Sequence, residues 1–159
     1  MRKTIINPAP ENIPSSDLNF LDLEQLAQVE FTSECSEHPV ESALLLTEGS
    51  GAGWQAASSG EQTIRLVFDQ PRTIEHIFLT FDELQQSRTQ EFVLLGLMDS
   101  ESSYREILRQ QYHFSPPNTT QEIEHYEVRL NQLKALELRI IPDISGGETY
   151  ATLKRLRLA

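Results

Sequence analysis

The stretch TIRLVFDQPRTIEHIFLTF, residues 63–81, decides the fold class of this 159-residue chain. Apolar and polar side chains alternate on both sides of the Asp69-Gln70-Pro71 turn, and such alternation predicts two half-buried strands. The phase of the alternation changes between Ile74 and Ile77, which predicts a β-bulge. The stretch therefore predicts β-structure with one face in a core and one face in water.

The same pattern continues beyond this stretch to Leu158, as short apolar runs separated by turns. Residues 91–97 are apolar on both faces, as expected of a central strand. Only one convincing helix start precedes the runs: Pro39 suits the first helical position, Glu41 suits the first turn, and Gly49 ends the helix. We therefore predict an all-β antiparallel sandwich with one short helix, formed by residues 25–159 and preceded by an N-terminal arm, residues 1–24.

The composition excludes some classes of partner. The formal net charge is −11, from 13 basic and 24 acidic residues, and this charge repels nucleic acid and anionic membranes. From Arg129 onward, however, six basic residues stand against three acidic ones. These basic residues are either the outward positions of the last strands or a local anion-binding patch.

Localisation is predicted from three features. No apolar stretch approaches the ~20 residues that cross a bilayer, and the basic start is not followed by the apolar segment of a signal peptide. The lone Cys35 has no partner for an internal disulfide, which fits a reducing compartment. We expect a cytoplasmic protein that does not bind membranes.

No catalytic or metal-binding motif is present. The chain has no nucleophile elbow, no H-E-x-x-H and no phosphate-binding loop. Cys35 and His38 have the spacing that opens some zinc sites, but a zinc ion needs further ligands. The remaining histidines, His76, His113 and His125, are far apart in sequence. We predict no metal, no cofactor and no enzymatic activity.

Trp54 and Arg88 are the first candidate ligand-binding residues. Trp54 is the only tryptophan and ends a glycine-rich loop, residues 49–53; its ring either stacks on a sugar or a partner, or plugs one end of the sandwich. Arg88 begins a strand after a polar loop. Its guanidinium either holds a ligand carboxylate or hydroxyl in bidentate fashion, or bridges to acidic neighbours.

Further candidates lie in two later loops. Tyr112 and His113 precede a Pro-Pro turn, and Asp143 and Tyr150 bound a glycine-containing loop. With Trp54 and Arg88, they make up the predicted ligand-binding set: Trp54, Arg88, Tyr112, His113, Asp143 and Tyr150. Glu122 and Glu124 share one face of a predicted strand, and we expect that face to be solvated.

The order of these features resembles a discoidin-like domain, the galactose-binding-like jelly roll that includes coagulation-factor type C domains. A strand ending in Ser is followed by a Pro-started helix, a Gly loop to Trp, a Phe-Asp-x-Pro turn and an Ile-x-x-Ile-x-Leu strand. The matching segments are 31–33, 39–43, 49–54, 68–71, 74–79, 136–142 and 151–156. Three longer phrases, 88–92, 114–116 and 141–143, resemble a bacterial branch of stand-alone members.

The resemblance implies a binding module that takes carbohydrate, phospholipid or protein through loops at one end of the sandwich. Many such domains hold a structural calcium, but here Glu48-Gly49 stands in place of the common Asp-Gly, and Arg155 stands where the last strand often has an acidic residue. Calcium tolerates a nearby cation badly. The apolar loop tips of lipid binders are missing. We therefore expect a carbohydrate ligand without calcium, with a protein-interaction scaffold as the alternative. Nucleic acid, as bound by a DNA-repair scaffold domain of this fold, is disfavoured by the net charge.

Overall fold

The structure, a computed structural model, describes residues 18–46 and 51–159. These residues form a short α-helix, a 3-10 helix and eight strands, all paired in antiparallel fashion. In chain order the elements are α1 Leu23–Leu26, β1 Ala27–Phe31, the 3-10 helix Val40–Ala43, β2 Trp54–Ser59, β3 Gln62–Asp82, β4 Arg88–Met98, β5 Arg105–Phe114, β6 Gln121–Ile141, β7 Tyr150–Leu153 and β8 Arg155–Leu158. The predicted all-β sandwich is confirmed.

Two long strands, β3 and β6, build both layers of the sandwich. Residues 62–67 of β3 pair with residues 135–140 of β6, and residues 72–82 pair with residues 121–133. The register is irregular between Val67 and His76, so both strands bend there. This irregularity includes the bulge predicted after Ile74. The two strands predicted on either side of the Asp69-Gln70-Pro71 turn form the single strand β3.

The bend separates a first layer from a second layer. The first layer runs β1, the first half of β3, the second half of β6, β4 and β5, while β8 joins the second half of β3 in the second layer. The two layers face each other: the Phe81 and Phe92 rings stack with centroids 5.2 Å apart. β2 and β7 form a separate two-stranded sheet.

Alternation along the strands supplies the core. Residues 62–68 are alternately buried and half-buried, and residues 77–82 repeat the pattern. β4, which lies between β5 and β6, buries Phe92, Val93 and Leu94 in succession, as predicted for a central strand. Burial of alternate side chains from both layers is the main source of stability in such a sandwich.

Three elements differ from the sequence prediction. The predicted helix after Pro39 is only a short 3-10 helix. The Val40 N–H at its start donates to the Glu34 carboxylate at 2.8 Å. The alternating run 150–158 predicts one closing strand, but it is divided at Lys154 into β7 and β8. The runs 123–130 and 136–141 predict two strands, but they form the single strand β6. No helix among the described residues is long and apolar enough to cross a membrane.

Of the predicted N-terminal arm, residues 1–17 lie outside the described residues, as does Gly49. The described part of the arm contacts the sandwich, because the Leu21 N–H donates to the Leu158 carbonyl at 2.8 Å and Leu23 is buried in the core. The domain boundary between residues 24 and 25 stays a prediction.

Candidate functional site

Three loops meet at one end of the sandwich, which we call the loop end: residues 83–87, 115–120 and 142–149. The Glu83 N–H donates to the Thr120 carbonyl at 2.8 Å. The Ile144 N–H donates to the Thr89 carbonyl at 2.9 Å. The first bond joins residues 83–87 to residues 115–120, and the second joins residues 142–149 to the start of β4, so the three loops are held together.

Arg88 is the central connection of the loop end. Its Nε donates to the Glu83 carboxylate at 2.7 Å, and a terminal nitrogen donates to the Pro142 carbonyl at 2.8 Å. The guanidinium also lies 4.8 Å from the centroid of the Phe114 ring, a cation–π distance. The Arg88 side chain is 0% exposed, so it cannot reach a ligand. The alternative in which Arg88 bridges to an acidic neighbour is confirmed. The prediction that Arg88 contacts a ligand directly is wrong.

The ion pair of Arg88 also fixes the charge of its partner. Burial raises the pKa of the Glu83 carboxyl, but hydrogen bonds from Arg88 and from the Gln85 N–H outweigh burial and hold the pKa below its ordinary value. Glu83 is therefore ionised at neutral pH, and the pair joins residues 83–87 to the loop after β6.

The loop from Asp143 to Thr149 carries an ionised carboxylate. The Asp143 side chain accepts hydrogen bonds from the Ser145 hydroxyl at 2.7 Å and from the Ser145 N–H at 3.1 Å. The hydrogen bond from the Ser145 hydroxyl contributes most to lowering the pKa of Asp143. Gly146 and Gly147 have φ values of +88° and +97°, which glycine adopts without the steric cost that other residues meet.

Tyr112 and His113 lie at the end of β5, opposite the start of β4. The Tyr112 hydroxyl donates to the Gln121 carbonyl at 2.8 Å, so it ties β5 to β6. The exposed His113 places Nδ1 2.8 Å from the Thr89 hydroxyl. Tyr112, His113 and Asp143 thus lie around the start of β4.

Tyr150 supplies the exposed aromatic ring of this region. It begins β7, pairs with Ser59 of β2, and is 45% exposed. The preceding residue, Thr149, accepts a hydrogen bond from the Gly60 N–H at 3.0 Å. The loop that starts at Asp143 therefore ends at a fixed, exposed tyrosine.

The Trp54 side chain is buried in the core and offers no surface to a ligand. Its ring is 1% exposed and its Nε1–H donates to the Ser33 carbonyl at 3.0 Å. A tryptophan that stacks on a ligand must expose a ring face, so the prediction that Trp54 contacts a ligand is wrong. Gly53 explains part of this packing: its φ is +82°, and an added Cβ would lie 2.7 Å from the Leu153 carbonyl oxygen.

The buried ring makes a direct spectroscopic prediction. We expect the fluorescence of Trp54, the only tryptophan, to have a blue-shifted maximum in the native state and to resist quenching by iodide. Unfolding in urea should shift the emission to the red and restore quenching. A native spectrum that iodide quenches as strongly as the unfolded one would show that the ring is exposed.

Sequence reasoning missed the buried polar residues beneath the loop end. Gln90 and Glu122 are both 0% exposed, and the Gln90 amide donates to a Glu122 oxygen at 3.1 Å. The expectation of a solvated face at Glu122 is therefore wrong, because alternation places this residue inside the sandwich. The signal available in the sequence was the alternation along β4, which places Arg88 and Gln90 on the same, inward face of the strand.

Among residues 18–46 and 51–159, no group of three or more His, Cys, Asp or Glu side chains is arranged to hold a metal ion. The arrangement offers hydrogen-bonding groups and one aromatic face, which suit non-covalent recognition of a polar ligand.

Comparisons with known proteins identify the fold. No family model matches the chain, and no curated protein matches its sequence. Among solved structures, the family 32 carbohydrate-binding module of Clostridium perfringens NanJ, in complex with galactose, matches 87% of this chain and 96% of its own length, with a TM-score of 0.63 and 11% identity.

Two further solved structures agree. Module CBM32-5 of Clostridium perfringens CpGH89, in complex with GalNAc-β-1,3-galactose, covers 88% of this chain and 99% of its own length at a TM-score of 0.64 and 13% identity. The C-terminal domain of a chitobiase from Bacteroides fragilis covers 89% of this chain and 97% of its own length at a TM-score of 0.60 and 16% identity. The chain therefore shares the galactose-binding-like jelly-roll fold of these solved structures, the fold that its sequence predicts.

Proposed function

We propose that this chain is a non-catalytic module that binds carbohydrate at the loop end. The solved structures with the same fold include carbohydrate-binding modules in complex with sugars. Their identity to this chain is 11% and 13%, so the proposal depends on what the loop end itself offers.

The observation that carries the proposal is the loop bounded by Asp143 and Tyr150. It combines an ionised carboxylate with an exposed aromatic ring, and its start is fixed to β4 by the bonds of Arg88 and Thr89. Carboxylates accept hydrogen bonds from sugar hydroxyls, and the apolar face of a sugar stacks on an aromatic ring. His113 adds a ring nitrogen that donates or accepts on the same end of the molecule.

The roles of the site residues follow from these contacts. Tyr150 is the stacking platform, Asp143 and His113 bind hydroxyl groups, and Arg88 and Tyr112 position the loops. Binding of this kind involves no covalent step, and a site whose loops are already hydrogen-bonded loses little conformational entropy on binding.

A glycan panel followed by calorimetry tests the proposal. We expect one class of glycan to bind, and we expect Tyr150→Ala to weaken its affinity by about tenfold or more, because the stacking surface is lost. Tyr104→Ala is the matched control, since Tyr104 precedes β5 at the opposite end of the β4–β5 ladder. Equal effects of the two substitutions, or no glycan bound at all, would contradict carbohydrate binding at the loop end.

A protein partner is the second candidate function, and one observation favours it. Leu84 is 73% exposed and Ile144 is 48% exposed, each in a loop of the loop end. Exposed apolar side chains beside polar ones are typical of protein interfaces. If no glycan binds, a partner whose binding is lost in Leu84→Asp but not in Tyr104→Ala would support this candidate.

A further inference from the structure

Two histidines meet on the outer face of the second layer, at a distance from the loop end. His76 lies in β3 opposite Glu127 of β6, and Phe78 lies opposite His125. His76 and His125 are therefore diagonal neighbours on paired strands, although 49 positions separate them in sequence. Nδ1 of His76 is 3.0 Å from Nε2 of His125.

This distance suits the chelation of a transition-metal ion. An imidazole nitrogen binds such ions at about 2.0–2.1 Å, so two nitrogens in adjacent positions of a square or octahedral complex lie roughly 2.9 Å apart. The two ring nitrogens already have this separation.

The surrounding residues hold the two rings in place. The Phe78 ring stacks on the His125 ring with centroids 4.0 Å apart and an interplanar angle of 9°. Backbone pairing of β3 with β6 fixes the spacing of the two positions. A rigid frame of this kind lowers the entropic cost of bringing two ligands to one ion.

The site is open to solvent. An open cleft of about 700 Å³, lined by residues that include Glu75, Glu127 and Arg129, lies beside His76. Water and ion therefore have free access to the pair.

We propose that His76 and His125 form a two-histidine site for a divalent first-row transition-metal ion, bound most tightly as Cu²⁺. The ion takes the place of the hydrogen bond between the rings. The proton on the bridging nitrogen moves through solvent to the other nitrogen of the same ring, so both imidazoles stay neutral. No group of three or more metal ligands is found in the described part of the chain, so water fills the remaining positions.

Calorimetric titration of the chelator-treated chain with Cu²⁺ and Ni²⁺ tests the site. We expect one ion per chain, with Cu²⁺ bound more tightly than Ni²⁺. His76→Ala and His125→Ala should each weaken binding by about tenfold or more. His113→Ala is the matched control, because His113 is also exposed and hydrogen-bonded to a single side chain, and it should leave binding unchanged.

Two outcomes would overturn the site. One is equal binding by the wild-type chain and both variants. The other is loss of binding in His38→Ala instead, which would move the ion to the turn where the His38 N–H donates to the Cys35 carbonyl at 2.9 Å. An electron paramagnetic resonance spectrum of the wild-type Cu²⁺ complex provides a test that does not depend on folding of the variants: it must show two imidazole nitrogens. A spectrum without them contradicts the proposal.

Discussion

Replacing Trp54 with alanine is expected to lower the free energy of unfolding by about 3–5 kcal/mol, the usual cost of truncating a buried tryptophan. The ring is among the largest fully buried side chains of the described residues, and Leu153, its partner on β7, is also buried. Truncation leaves a cavity at one end of the core and leaves the Ser33 carbonyl without its donor. Urea denaturation followed by circular dichroism measures the change, because the variant has no tryptophan to report by fluorescence.

Trp54→Phe is the matched control for the Trp54→Ala experiment. Phenylalanine keeps much of the buried ring but cannot donate to the Ser33 carbonyl, so we expect a smaller loss of about 1–3 kcal/mol. If Trp54→Ala changed stability by less than Trp54→Phe, the ring would not belong to the core. A Trp54→Ala variant that is stable but no longer binds a glycan would return Trp54 to the ligand site.

The fold was predictable because burial alternates with the side-chain period of a strand. Ile64, Leu66 and Phe68 face the core as their spacing indicates, and the bulge after Ile74 is visible as a change of phase. The sequence did not show that β3 and β6 each run through the bend as one strand. Pro71 reads as the end of a strand, yet pairing resumes at Arg72, since the long strands bend between two layers.

The candidate site was less predictable, because burial decides its chemistry. Arg88 and Trp54 have the residue types of ligand contacts, but both are buried and act on the protein itself. Glu122 reads as a surface residue on composition alone. His76 and His125 meet only because β3 pairs with β6. The two histidines are 49 positions apart in sequence, so their spacing does not indicate that they are neighbours.

Replacing Glu122 with glutamine is expected to remove a large pH dependence from the stability of the chain. Glu122 is 0% exposed and accepts a hydrogen bond from Gln90. Burial, together with the neighbouring carboxyl group of Glu124, raises the pKa of Glu122 to about 8. A buried carboxyl group with a raised pKa stays protonated in the folded chain at neutral pH, whereas it ionises in the unfolded chain above its ordinary pKa.

The sign of the effect follows from proton linkage. Near pH 4 the carboxyl group is protonated in both states and costs nothing. As the pH rises from about 4.5 to about 8, the unfolded state loses the proton while the folded state keeps it, so the wild-type chain loses stability by up to ~1.4 kcal/mol per pH unit. Glutamine cannot ionise, so the variant should be roughly 3–5 kcal/mol more stable than the wild-type chain at pH 9, relative to their difference at pH 4.

Chemical denaturation of both proteins across pH 4–9 measures this difference. Glu37→Gln removes the same kind of ionisable group from an exposed position, so subtracting its profile separates the buried carboxyl group from the general repulsion within a chain of net charge −11. Parallel profiles for Glu122→Gln and Glu37→Gln would show that Glu122 is ionised in the folded state. If stability stops falling with pH in Glu122→Gln but not in Glu37→Gln, the wild-type Glu122 carboxyl group is neutral at neutral pH. This neutral group then lies beside Gln90, inside the sandwich and beneath the loop end.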